Sequence, residues 1–309
     1  MPRVLARLRP STEGSGATKI FKVGEDQISV QEDDSHPPRQ IKFHHVFDSA
    51  ASNEEVFAFV KGVLLGSLLR NKHDCTVFSY GETGSGKTYT MYHVIKAFVG
   101  HLLALNAAPK EEGYEDIIGV AVEVSCVEIN MVAANRESIL DLLNKKKELK
   151  LQFSQVEGAK AVKITTPAEL EKNQETVRKL RTTKATAANS ASSRSHCIYI
   201  AKISVEQASC SFSTTCHFVD LAGSERMAQS RRLSTRGNNA ASAINPSLSN
   251  FSNIVRMIAV DKMKEGIPFR NSYLTRILQP CFKGEGELMA LFCLNPGNPK
   301  ESHSTLVFA

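Results

Sequence analysis

Apolar and polar positions alternate along this chain with two periods, near 2 and near 3.6, and each change of period marks an element. Val4 to Leu8 alternates weakly and predicts a first or edge strand closed by Pro10. After the turn-rich stretch Ser11 to Gly16, the runs Lys19 to Phe21, Gln27 to Gln31 and Gln40 to Phe47 alternate again, with turn residues between them. They predict a small antiparallel lobe near the N-terminus. Ser52-Asn53-Glu54-Glu55 has capping-box form, and Val56, Val60, Val63 and Leu64 follow at helical spacing, so a helix is expected as far as about Arg70. Cys75 to Tyr80 reads as a short buried strand and Tyr89 to Leu105 as a helix. A polar connection, Pro109 to Asp116, leads to a long strand at Val120 to Ile129. Ile139 to Leu143 predicts a short helical piece, Lys145-Lys146-Lys147 a solvated turn, and Leu149 to Phe153 with Ala161 to Thr165 a pair of strands. Pro167 suits the first turn of a helix reaching about Arg181. Cys197 to Val205 and Ser211 to Val219 are two strands joined by a short turn, the second ending in Asp220. Ala240 to Val260 and Leu274 to Phe282 predict helices, Leu288 to Leu294 a strand, and Ser302 to Ala309 the beginning of a further element.

Strands alternating with helices predict an α/β fold: a central mixed, mostly-β sheet with helices on both faces, plus the small antiparallel lobe. A chain of 309 residues can bury a large core as one domain, and no linker divides residues 1–309. Hydrophobic content of 42% and charged content of 23% are ordinary for a globular protein. The net charge of +6, from 38 basic and 32 acidic residues, permits an acidic partner without choosing one. Seven cysteines occur without a C-x-x-C pair, several inside apolar runs, so neither disulfides nor zinc are expected. No apolar run reaches membrane-spanning length and Met1 to Pro10 has no apolar signal region, which makes a cytoplasmic setting the expectation. His44 and His45 lie in a strand-like run, where ordinary strand positions outweigh a metal role.

One stretch carries chemistry by itself. Gly81-Glu82-Thr83-Gly84-Ser85-Gly86-Lys87-Thr88 fits the phosphate-loop pattern G-x-x-x-x-G-K-[ST], between a predicted strand and a predicted helix. Gly81, Gly84 and Gly86 allow the left-handed turns that bring backbone N–H groups against phosphate oxygens. Lys87 supplies a mobile cation for the β- and γ-phosphates. The Thr88 hydroxyl can ligate Mg²⁺ at the positive end of the following helix. Two later stretches add to it. Asn189-Ser190-Ala191-Ser192-Ser193-Arg194-Ser195-His196 is rich in hydroxyls suited to Mg²⁺, phosphate or water, although such loops are common. Asp220-Leu221-Ala222-Gly223-Ser224-Glu225 puts a carboxylate at a strand's end, where it can hold the waters around Mg²⁺, and a bare N–H at Gly223.

Taken together and in this order, G-x-T-G-S-G-K-T, N-x-x-S-S-R-S-H and D-L-A-G-S-E resemble the phosphate loop and the two switch segments of the kinesin motor domain. Arg7-Leu8-Arg9-Pro10, Phe43 to Phe47, Asn53-Glu54-Glu55-Val56, Ile244 to Ser249, Ile267 to Thr275 and Ser304 to Ala309 resemble further fragments of that family, so the likeness covers nearly the whole chain. It implies a phosphate-loop NTPase of the kinesin and myosin type that binds ATP or ADP with Mg²⁺ and hydrolyses ATP. It also implies a microtubule partner rather than nucleic acid or membrane, a cytoskeletal location, and a monomer for the chain as given. By the same resemblance, residues 81–89 and Asn189 surround the nucleotide, with Arg7, Pro10 and Tyr89 flanking the adenine. Lys87 binds the β- and γ-phosphates. Thr88 and Ser193 ligate Mg²⁺, and Asp220 anchors its water shell. Ser192 and the Gly223 amide sense the γ-phosphate, and Arg194 with Glu225 closes the switches around the lytic water. Arg231, Arg232, Arg236, Lys262, Lys264, Arg270 and Arg276 are the basic candidates for the acidic track.

Some residues depart from the family pattern. Pro246 stands where lysine is usual, so the helix there is expected to begin near Asn245 or to kink. Asn271 and Tyr273 replace Asp and Lys, Glu82 replaces Gln, the G-I-I-P-R stretch is missing, and Met131 to Asn135 departs from Y-N-E. Leu149 to Thr165 is shorter than the family's hairpin. Two rivals follow. One is a kinesin-like module that holds nucleotide and tubulin with little turnover. The other is an unrelated phosphate-loop GTPase, disfavoured because the chain has no N-K-x-D guanine signature.

Overall fold

The structure is a computed structural model, describing residues 2–10, 19–31, 37–106, 114–133, 136–182, 195–225, 246–259 and 266–308. Its frame is a mixed sheet. In spatial order the strands are β10 (Gln155–Glu157), β9 (Lys147–Gln152), β8 (Arg136–Asp141), β7 (Ile117–Ala133), β12 (Ser195–Gln207), β13 (Ser211–Asp220), β6 (Asp74–Tyr80), β14 (Gly286–Leu294), β1 (Arg3–Leu8) and β5 (His45–Phe47). β11 (Val162–Ile164) joins the same sheet by pairing with β7. From β10 to β13 the neighbours run antiparallel, and from β13 to β5 they run parallel. A separate three-stranded sheet, β2 (Lys19–Val23), β3 (Gln27–Gln31) and β4 (Arg39–Lys42), is the expected N-terminal lobe.

Parallel strands are covered on both faces, and the burial shows it. On one face, α1 (Asn53–Leu65), α2 (Lys87–Ala104) and α3 (Pro167–Thr182) close a core that includes Val77, Phe98, Phe218 and Leu291. On the other, α4 (Pro246–Ala259), α5 (Tyr273–Ile277), α6 (Gln279–Phe282), α7 (Pro299–Leu306) and the small sheet close a second core with Phe78, Phe251, Phe282 and Phe292. Each central strand feeds both: Met289, Leu291 and Cys293 of β14 point one way, and Leu288, Ala290, Phe292 and Leu294 the other.

Local chemistry explains most boundaries. Ser52 accepts from the Glu55 amide and Glu55 accepts from the Ser52 amide, so the expected capping box starts α1. That helix ends in a wider turn at Gly66–Arg70. The described part of α4 begins at Pro246, and the expected start near Asn245 lies outside the described residues.

Several expectations are corrected. Ile139 to Leu143 is not helical: residues 136–141 form β8, because the long edge of β7 offers an antiparallel partner and strand pairing prevails over a short helical pattern. Leu149 to Phe153 and Ala161 to Thr165 do not pair with each other. β9 pairs with β8 and β10, and β11 pairs with β7. Residues 45–47 leave the small sheet and pair with β1, which is therefore an interior strand. Leu274 to Phe282 is two short helices, since Pro280 has no N–H to give the carbonyl of Arg276. The lysine turn is only partly solvated: Lys146, at φ 62, donates to the carbonyl of Leu180 near the end of α3. His44 Nδ1 accepts from the Val4 amide and His45 stacks on Phe59, so both serve the strands.

Candidate functional site

The site follows from parallel pairing. β6 delivers the phosphate loop at its carboxyl end, and register with β13 sets Asp220 beside Ser79, just before the loop. β14 and β1 end on the same edge, with Leu8 opposite Leu294. β12 runs antiparallel and brings its start there, with Cys197 opposite Asp220. Ligands of open α/β sheets bind at such an edge, beyond the strand ends.

The loop has the geometry its glycines imply. Gly81, Gly84 and Gly86 have φ of 151°, 83° and 99°. A side chain at Gly81 would place Cβ 2.2 Å from the Cys293 carbonyl oxygen, so the loop enters against β14 at a distance that only glycine permits. Gly86, in the left-handed region, precedes α2 and leaves the first amides of that helix facing outward. A cavity of about 520 Å³ opens there, lined by Arg9, Pro10, Thr83, Gly84, Gly86, Lys87, Thr88 and Tyr89. Its size suits a nucleotide.

Lys87 is buried, and its ammonium donates to the Glu82 carbonyl at 2.7 Å. Burial lowers its pKa below the ordinary lysine range, while Asp220 pulls the other way. An anion in the loop would restore the full charge. The Ser85 hydroxyl is buried without a hydrogen-bond partner among the described residues. Thr88 Oγ1 donates to Asp220 Oδ2 at 2.8 Å, while Asp220 Oδ1 is buried and unpartnered among the described residues. A hydroxyl beside a carboxylate with a spare oxygen is a donor set that fits Mg²⁺ and its waters.

The segment after β13 is tied to the loop. Glu225 accepts from the Thr83 amide at 3.0 Å and from the Thr83 hydroxyl at 2.7 Å. The Ser224 amide donates to the Gly81 carbonyl at 3.0 Å. Asn189, Ser192, Ser193 and Arg194 lie outside the described residues, as do Arg231, Arg232, Arg236, Lys262 and Lys264.

On the flank where the resemblance sets the adenine, Pro10 and the exposed Tyr89 line the cavity. Arg7 braces it from behind: its guanidinium donates to Asn53 Oδ1, Thr90 Oγ1 and the Ala51 carbonyl, and lies 6.0 Å from the centre of the Tyr89 ring. Arg9 reaches the Gly84 carbonyl and lines the cavity itself.

Arg181 joins this cluster although local patterns did not single it out. From the end of α3 its guanidinium donates to Asp220 Oδ2 at 2.8 Å and lies 3.8 Å from Glu128 Oε1, all three residues buried. It shares Asp220 with Thr88 and thereby holds the carboxylate in place. At the end of an ordinary helix, only its burial distinguishes it from a solvated arginine. His196, also buried, accepts the Ala222 amide on Nδ1 at 3.1 Å and joins β12 to the segment after β13.

A family model described as the kinesin motor domain matches residues 7–309. The chain belongs to the kinesin motor domain family. It is 33% identical to the chromosome-associated kinesin KIF4 of Mus musculus over 99% of its own length and 26% of that protein's. It is 32% identical to the kinesin-like protein KAR3 of Saccharomyces cerevisiae, over 99% of its length and 45% of that relative's. The chain thus spans from about a quarter to under half of these curated kinesins. A solved structure of a fast kinesin, described with implications for ATPase mechanism and interactions with microtubules, superimposes with a TM-score of 0.78. It is 26% identical and covers 99% of this chain and 89% of that one. The kinesin fold, with its large mixed sheet, flanking helices and small antiparallel sheet, is therefore the fold of this chain.

Proposed function

We propose that residues 1–309 form one motor domain that hydrolyses ATP to ADP and phosphate and passes the change at its phosphate loop to a microtubule-binding face. One observation carries this reading: Lys87, Thr88, Asp220 and Glu225 meet at the mouth of a single phosphate loop, although they come from two distant parts of the chain. Lys87 would leave the Glu82 carbonyl for the β- and γ-phosphates. Thr88 and Ser193 would hold Mg²⁺, with Asp220 anchoring its waters; bound there, the metal neutralises phosphate charge. Asn189 would line the nucleotide, and Ser192 and the Gly223 amide would contact the γ-phosphate.

Glu225 is spent on Thr83 in this structure. Its pairing with Arg194 would release the loop, so the Thr83–Glu225 contact is one position of a two-position switch. The work of the protein groups is positioning and charge neutralisation around an attacking water. On this reading the partner is the acidic microtubule surface and the location cytoskeletal. No helix among the described residues is long and apolar enough to cross a membrane.

Phosphate release, with and without microtubules, tests it. Wild-type turnover is expected to rise with microtubules, and Lys87→Ala should lose at least about a hundredfold of it. A rate that stays basal would favour the second reading, a nucleotide- and tubulin-binding module with little turnover. That reading draws on the altered track side. Arg276 spends its guanidinium on the Phe153 carbonyl at 3.2 Å, and Tyr273 gives its amide to Glu137.

A further inference from the structure

Glu82 sits inside the phosphate loop, and only 3% of it is exposed. Its Oε2 accepts from the side-chain Nδ2 of Asn298, the residue that precedes α7. Its Oε1 is buried without a hydrogen-bond partner among the described residues. Two further carboxylates face it, Glu301 from the first turn of α7 and Glu225 from beyond β13. Lys87 of α2 is the cation on the same side, and its ammonium is turned to the Glu82 backbone rather than to the carboxylate. The helix α7 is joined to the same junction by Ser224 Oγ and Thr305 Oγ1, 3.2 Å apart, while the Ser224 amide holds Gly81. The loop, the second switch segment and the last described helix therefore meet around one buried carboxyl group.

A charged carboxylate is poorly served there. Two like charges are near, and the positive end of α7 already has Glu301 in its first turn. Burial first, and then the charge of Glu301, push the Glu82 carboxyl up to about 7, with the side-chain amides of Asn298 and Asn295 pulling the other way. Phosphate in the loop adds negative charge beside it.

We propose that Glu82 is a positioning residue that joins the phosphate loop to the start of α7 through Asn298 while its buried setting among carboxylates favours the neutral form, so that nucleotide binding takes up a proton at this carboxyl group. The inference rests on the nucleotide reading of the cavity. Its sign is definite. An unfolded glutamate loses its proton near the ordinary value, whereas the folded one keeps it to about 7. Stability therefore falls as pH rises from about 4.5 to about 7 and levels off above that. ADP affinity falls over the same direction of pH, because the charged carboxylate repels phosphate.

Calorimetric titration of ADP with Mg²⁺ in buffers of different ionisation enthalpy counts the protons taken up. Near pH 7.5 the wild type should take up several tenths of a proton more than Glu82→Gln, which keeps an acceptor for Asn298 but cannot titrate. Between pH 6 and 8.5 wild-type affinity should fall by up to about tenfold more than that of the variant, the most that a one-unit shift on binding transmits. Asn298→Ala should weaken ADP binding and keep the pH dependence. Without nucleotide, the thermal midpoint of the wild type should drop across pH 5 to 7.5 relative to Glu82→Gln. Equal proton uptake by wild type and Glu82→Gln, or ADP binding unaffected by Asn298→Ala, overturns the inference and leaves the nucleotide site standing. Failure of both forms to bind ADP overturns both.

Discussion

At Gly223 a Cβ atom would lie 2.1 Å from Glu225 Oε2 and 2.4 Å from Thr83 Oγ1. The glycine is what lets the Glu225 carboxylate fold back onto the phosphate loop. Gly223→Ala is expected to separate the two and reduce ATP turnover by roughly a hundredfold, the usual cost of a misplacement near 1 Å. The fold should survive, so phosphate release drops while the unfolding midpoint moves little. Arg181 makes the opposite case, in which the fold is the casualty. Replacing it with alanine strands the carboxylates of Asp220 and Glu128 in a dry interior. A loss of about 3–5 kcal/mol in urea unfolding is expected. Wild-type stability in Arg181→Ala would mean that water reaches the pair.

Among the elements, α1 is set by its own sequence and β8 is not. The Ser52–Glu55 box is complete within four residues, and its contacts are local. Ser52→Ala should cost about 1 kcal/mol of stability and leave ATP turnover unchanged. Parity of the two unfolding curves would show the cap to be idle. In β8, the run Ile139-Leu140-Asp141-Leu142-Leu143 carries a helical pattern, yet Asp141 is buried with Oδ1 on the Leu143 amide and Oδ2 on the Lys160 amide. Those bonds pin the turn after the strand. Neither they nor the β7 ladder has a signature within the local window.

For the whole molecule, the parallel half of the sheet is the organising fact. It gathers the ends of β6, β13, β14 and β1 on one edge; on the proposed function, the helices α4 and α5 and the β9–β10 hairpin are left to meet the track. With a net charge of +6, association with an acidic lattice is expected to weaken as salt rises, because screening shortens the reach of exposed charges to about 10 Å at 0.1 M. Co-sedimentation with microtubules across a salt series reads this directly. Binding indifferent to salt would point to an apolar interface instead, for which Phe153, 84% exposed at the tip of that hairpin, is the conspicuous side chain.

The amino-acid sequence determined the phosphate loop, the family, the capping box of α1 and the approximate place of most strands and helices. Each rests on interactions closed within a few residues, or on motifs whose spacing is itself the chemistry. Tertiary structure alone decided that residues 136–141 extend as a strand, that residues 45–47 abandon the small sheet, and that Arg181, Asn298 and Thr83 bond to carboxylates around the cavity. Their partners, Asp220, Glu82 and Glu225, are distant in the chain or lie on separate elements. Strand register and burial, not local propensity, bring them within hydrogen-bond distance.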